Sequence, residues 1–220
     1  ETELMLADLD SLERRVPYER LANPQRYLTR TYLGRHTAGY QAGLGCRFRC
    51  TFCGVATMFR GRLALPTAAR LEEDLTFLTT QLGADAIQFY DHNFFDREQD
   101  MVPILEVMAR IGLPWWCYAR SDALLNLSAR SWALVRASKL RMAYIGAETA
   151  SDRMLREVRK GTRVDQAGPG VAAMEIAGHR VQPRPDVGPF AQPVRVAGQA
   201  HPGLLEQILG DFATARQEQQ

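Results

Sequence analysis

Three of the chain's four cysteines, Cys46, Cys50 and Cys53, fall within eight residues of one another in "GCRFRCTFCGV". The spacing is C-x3-C-x2-C, and three different chemistries compete for it. A structural zinc ion takes four ligands in a closed tetrahedron, usually as two separated pairs. Here the fourth would have to come from Cys117, His36 or His92, and no second pair exists. A disulfide would use two thiols and strand the third. A cubane iron–sulfur cluster has four irons, each taking one thiolate. Three cysteines then leave one iron open to a substrate or cofactor. The open 4Fe–4S cluster is the preferred reading, with zinc and unligated thiols as the alternatives.

Something must position that loop, and the sequence after Tyr40 alternates strand and helix patterns. "YQAGLG" reads as a short strand running into the cysteines. In "TAARLEEDLTFLTTQLG", Leu71, Leu75, Leu78 and Leu82 share one helical face, Thr67 is the N-cap and Gly83 closes the helix. "AIQFY" is a buried strand that ends in the polar run "DHNFFD". "MVPILEVMARIG" is a second helix, with Asp100 as cap and Pro103 in its first turn. "PWWCYA" is a third strand, and a helix capped by Ser128 follows. "MAYIGAE" is a fourth strand, and "SDRMLREVRKG" a fourth helix closed by Gly161. Four βα units in a row imply a parallel sheet with helical crossovers, a partial parallel (β/α) barrel. Polar clusters stand after each strand: the cysteine loop, Asp91–Asn93, Arg120–Asp122 and Glu148–Thr149. Ligands in parallel α/β sheets bind beyond the carboxyl ends of the strands, so all four clusters should line one rim.

The bulk composition fits this. The chain has 220 residues, 46% hydrophobic and 24% charged, enough for one soluble domain with a core. A formal net charge of +2 gives no case for nucleic acid or an anionic membrane surface. No apolar run approaches the roughly 20 residues of a membrane span. P-loop, G-x-G-x-x-G, H-E-x-x-H and G-x-S-x-G motifs are all missing, which removes support for nucleotide hydrolysis, Rossmann redox chemistry, zinc proteolysis and serine hydrolysis. A reducing cytoplasm is the expected compartment. Cys117, between Trp116 and Tyr118, reads as a small buried hydrophobe. Of Trp115 and Trp116, one should be core and one should face the barrel mouth. His92 at a strand end reads as hydrogen-bonded structure rather than a ligand.

"CRFRCTFC" resembles the cluster loop of the radical S-adenosylmethionine (SAM) superfamily, with Phe52 as its aromatic residue. More narrowly, "GCRFRCTFCGV", "FYDHNFF", "WWCYARSD" and "IGAETASDRMLREVRKG" together resemble the radical SAM enzymes that follow a cobalamin-binding domain. The resemblance covers roughly Leu6 to Arg163. It implies a 4Fe–4S cluster on Cys46, Cys50 and Cys53, with SAM chelating the open iron through its amino and carboxylate groups. One electron, from a donor such as flavodoxin or ferredoxin, would cleave SAM to methionine and a 5′-deoxyadenosyl radical. By the same resemblance Phe52 packs near the adenine, and Asp91 and Asn93 bond the methionine amino group. Glu148 meets the ribose, its alternative being an ion pair with Arg153 or Arg156. Arg120 has a fork that could bind the SAM carboxylate, and the competing partner is Asp122. Arg47 and Arg49 could offset the cluster's charge.

The implied reaction is cobalamin-dependent methylation of an unactivated carbon of a small-molecule substrate, followed by cyclisation or rearrangement as alternatives. Cobalamin would come from a domain preceding Glu1, the chain being read as a piece of something longer. A non-catalytic iron–sulfur or zinc-binding remnant and a purely structural α/β domain are the readings from other classes. Residues 1–39 are expected to be a lead-in, residues 40–163 the partial core, and residues 164–220 an irregular, truncated or altered tail. That tail shows no fifth or sixth strand, but helical patterns at residues 171–178 and 202–217.

Overall fold

The structure is a computed structural model that describes residues 20–166 and the backbone of residues 180–183. Its centre is a six-stranded sheet of β1 (Leu28–Thr29), β2 (Thr37–Tyr40), β5 (Ala86–Phe89), β6 (Trp115–Ala119), β7 (Leu140–Ile145) and β8 (Arg180–Pro183), in that order. Only β1 runs antiparallel; β2, β5, β6, β7 and β8 are all parallel neighbours. A separate two-stranded hairpin, β3 (Leu44–Gly45) with β4 (Leu63–Ala64), carries the cysteine loop between its arms. The helices between strands are α1 (Gly54–Phe59), α2 (Ala68–Thr80), α3 (Glu98–Ile111), α4 (Ser121–Leu125), α5 (Ala129–Ala137) and α6 (Asp152–Glu157). This is the α/β architecture expected, a mostly parallel sheet forming part of a (β/α) barrel.

The core lies between the sheet and α2, α3 and α5. Leu71, Leu75, Leu78 and Leu82 are all buried, as their spacing demands. Thr67 caps α2 by accepting from the Arg70 N–H at 3.2 Å, and Ser128 caps α5 by accepting from Ser131. Trp115 is fully buried on this side, donating its indole N–H to the Ser138 carbonyl at 2.7 Å, with Phe89 and Phe94 packed on it. Cys117 is fully buried too, and burial pushes its thiol well above the ordinary value. Trp116 turns to the opposite face, where its ring meets Tyr118 and Tyr144 edge-on. The two tryptophans divide as alternation along a strand requires.

Four local expectations change. The first parallel strand is Thr37–Tyr40, not Tyr40–Gly45, because the Ala42 and Gly43 N–H groups turn to the Asp91 carboxylate instead of a neighbouring strand. Helix α3 begins at Glu98, so Pro103 sits inside it and Asp100 is a first-turn acid, not the cap. Acids in a first turn complement the helix dipole, and the Asp100 carboxylate is also held by Arg47 at 3.0 Å. Helix α6 is capped at Val158, and Arg159 already has a left-handed φ of 51° before Gly161 is reached. A further strand, β8, pairs with β7 from within the tail, through Met142–Ile145. The helical patterns at residues 171–178 and 202–217 lie outside the described residues, as do residues 1–19.

Candidate functional site

Because β2, β5, β6 and β7 are parallel, their carboxyl ends open on one rim. The cysteine loop lies past β2, His92 and Asn93 past β5, Arg120 past β6, and Gly146 and Glu148 past β7. These converge on one cavity of about 250 Å³ that also takes in Cys46, Cys50, Cys53, Phe48, Phe52 and Lys160. That volume is just short of the roughly 300 Å³ at which ligand pockets begin. The hollow is larger than a single ion requires.

The loop is fixed from several sides. Cys46 N–H donates to the Arg62 carbonyl across the hairpin at 3.0 Å, and Thr51 N–H to the Val158 carbonyl beyond α6 at 2.9 Å. Arg47 reaches the start of α3, pairing with Asp96 and Asp100. Its charge is thus spent on anchoring the loop, while Arg49 donates to the Arg60 carbonyl at 3.5 Å. All four cysteines are free thiols. Burial pushes the Cys46 thiol up, opposed by a backbone hydrogen bond at Phe48 and by the Arg120 charge.

Asp91, expected to bind a ligand, does not line the cavity. Its carboxylate accepts from the N–H groups of Ala42 and Gly43 and holds the backbone that leads to the cysteines. Asn93 does line it; it is 93% buried, and its Oδ1 has no hydrogen-bond partner among the described residues. A buried acceptor left orphaned is costly unless something arrives to donate to it. Phe52 is half exposed at the mouth, with the Lys160 ammonium 5.9 Å from its ring centroid. His92 is exposed, and partial desolvation lowers its pKa.

Arg120 is 5% exposed. Its Nε and Nη2 form a fork on Asp122 at 3.0 and 2.9 Å, and Nη2 also donates to the Lys160 carbonyl at 2.7 Å. Glu148 pairs with Lys160 at 2.7 Å, not with Arg153 or Arg156. Lys160 is a cavity cation that the sequence did not single out. It stands in the basic run "RKG" with Arg159, and nothing in composition or spacing says which of these cations turns inward. The tyrosines Tyr118 and Tyr144, which floor the cavity, were hidden for a similar reason: alternation marks them as one face of a strand but not which face.

Among the described residues, no three His, Cys, Asp or Glu side chains gather as ligands of a single metal ion would. A cubane asks something different: each thiolate takes a separate corner, so the sulfurs stand around a hollow. Three free thiols on the wall of one shared cavity, beside an orphaned buried acceptor, fit the cluster and a chelating cofactor better than zinc.

No family model and no curated protein matches the sequence. Solved structures do. The chain superposes on the cobalamin-dependent SAM radical enzyme OxsB, with aqua-cobalamin and SAM bound, at a TM-score of 0.59 and 16% identity. It superposes equally on TsrM from Kitasatospora setae, a radical SAM methyltransferase with tryptophan substrate and a SAM analogue bound, at 0.59 and 15%. The chain has the radical SAM fold. Methylornithine synthase, PylB, matches as well, at a TM-score of 0.51 and 14% identity. These matches take in 67%, 71% and 67% of this chain, but only 23%, 33% and 43% of the three neighbours. The radical SAM fold here is therefore one part of what those longer enzymes contain.

Proposed function

We propose that the chain is the core of a radical SAM enzyme, with a 4Fe–4S cluster on Cys46, Cys50 and Cys53 and SAM beside it. When bound, these cofactors would supply reductive cleavage of SAM to methionine and a 5′-deoxyadenosyl radical. The observation that carries the reading is the shared cavity, in which three free thiols face Asn93, Arg120 and the Glu148–Lys160 pair. Asn93 Oδ1 would accept from the methionine amino group. Glu148 would meet the ribose hydroxyls, with Lys160 balancing its charge. Phe52 would lie along the adenine. Asp91 acts at one remove, by holding the backbone before the cysteines. The half-buried rings of Tyr118 and Tyr144, backed by the buried Trp116, would help keep water from the reacting atoms.

Within that reading, cobalamin-dependent methylation of an unactivated carbon is the proposed reaction, and it rests on the fold neighbours. OxsB is described as a cobalamin-dependent enzyme, and TsrM as a methyltransferase solved with cobalamin and a [4Fe–4S] cluster. Cobalamin would come from a domain outside this chain. A small-molecule substrate, a flavodoxin or ferredoxin as electron donor, and a reducing cytoplasm complete the proposal. No helix among the described residues is long and apolar enough to cross a membrane.

Anaerobic reconstitution tests it. The expected result is iron and sulfide near four each per chain, and 5′-deoxyadenosine released from SAM when dithionite is added. Cys53→Ala should abolish both. A chain that holds one zinc and no iron, or a Cys53→Ala chain that matches the parent, would overturn the proposal.

A further inference from the structure

The Arg120 guanidinium has five N–H groups, and their use can be counted. The edge that matches a carboxylate is filled by Asp122, which receives Nε at 3.0 Å and Nη2 at 2.9 Å. The remaining Nη2 hydrogen goes to the Lys160 carbonyl at 2.7 Å. Only Nη1 is left, and it points at Cys50 Sγ at 4.0 Å. The guanidinium carbon also sits over the Phe48 ring, 3.5 Å from its centroid, a cation–π contact that adds to its anchorage. A fork held this way on one side offers no second bidentate edge to the carboxylate of SAM. It offers a positive charge to the cysteine sulfur.

From this geometry we infer that Arg120 is a positioning residue for the cluster that sets its reduction potential, with Asp122 as the counterweight. The inference rests on the 4Fe–4S reading proposed above. Reduction adds one electron from an external reductant to the cluster and neither makes nor breaks a bond. The added negative charge is stabilised by a cation beside one of its thiolates. Both partners are buried, where a charge pair interacts roughly fourfold more strongly than in water. Asp122 opposes the effect, more weakly, because it binds the edge of the guanidinium turned away from Cys50. Two other cations near the thiols are already matched, Arg47 with Asp96 and Asp100, and Lys160 with Glu148, while Arg49 turns to the Arg60 carbonyl. Substitution at Arg120 or Asp122 therefore changes the local charge without freeing those pairs directly.

The test is a redox titration of the reconstituted full chain without SAM, followed by electron paramagnetic resonance, so that no turnover enters the readout. Arg120→Gln should shift the one-electron equilibrium against reduction by roughly tenfold, about 59 mV downward. Asp122→Asn should move the potential upward. Arg120→Lys, which keeps the charge but loses the fork, should fall between the parent and Arg120→Gln. Full iron content with an unmoved potential in both Arg120→Gln and Asp122→Asn overturns the inference, as do shifts of the same sign. Should Arg120→Gln hold no iron, the sign of the Asp122→Asn shift decides alone. A parent chain that takes up no iron at all overturns the cluster reading and this inference together.

Discussion

Asp91 is a carboxylate with two backbone N–H donors and almost no solvent. Those donors favour its charged form, but burial outweighs them and pushes its pKa from 3.8 up to about 6. The sign of the consequence follows from linkage. Between those two values the folded state binds the extra proton, so the contribution to stability is full below pH 3.8 and lost as pH rises through about 6. Asp91→Asn carries no such titration. The unfolding free energy of the variant should therefore gain on the parent by ~2 kcal/mol between pH 4 and pH 7, as measured by urea denaturation. Parallel pH profiles would show that the carboxylate is ionised throughout. At this scale the cysteine spacing was legible because ligation chemistry is written in residue type and count. Asp91's true task was not, since bonding Ala42 and Gly43 is a matter of where a remote strand end sits.

Among the elements, the β3–β4 hairpin has the most direct hold on the site. Gly45 has φ +98°, and a Cβ there would run into the Arg62 carbonyl oxygen, the acceptor of the Cys46 N–H. Gly45→Ala should disturb the hairpin and lower the iron retained after reconstitution to well below half of the parent value. Thr67→Ala is the matched control. It removes the α2 cap at a cost of ~1 kcal/mol and should leave iron content unchanged, because α2 is set by its buried Leu71, Leu75 and Leu78, none of which lines the cavity with the thiols. Equal iron in both variants would show that the hairpin does not position the loop. Helices α2 and α5 could be read from sequence because cap and periodicity agree. The start of α3 could not, since an ion pair with Arg47 fixes the role of Asp100.

For the molecule as a whole, the parallel sheet brings the four strand ends to one rim, and β8 covers the far edge of β7. A chain ending at Gln166 loses β8 and leaves Met142–Ile145 as an unpaired edge. It should melt ~5 °C or more below the parent and scatter light on heating; an unchanged melt would show that β8 adds little. The alternation of β and α, the thiol spacing and the polar clusters after each strand determined the fold class and the rim, because local periodicity and ligand chemistry are carried by neighbouring residues. Only the tertiary structure decided which polar residues face the cavity. It turned Lys160 inward to Glu148, committed the Arg120 fork to Asp122, left Asn93 Oδ1 without a donor among the described residues and set Asp91 behind the loop. Each of those outcomes depends on a partner many residues away or on the burial around it, and neither is encoded in spacing along the chain.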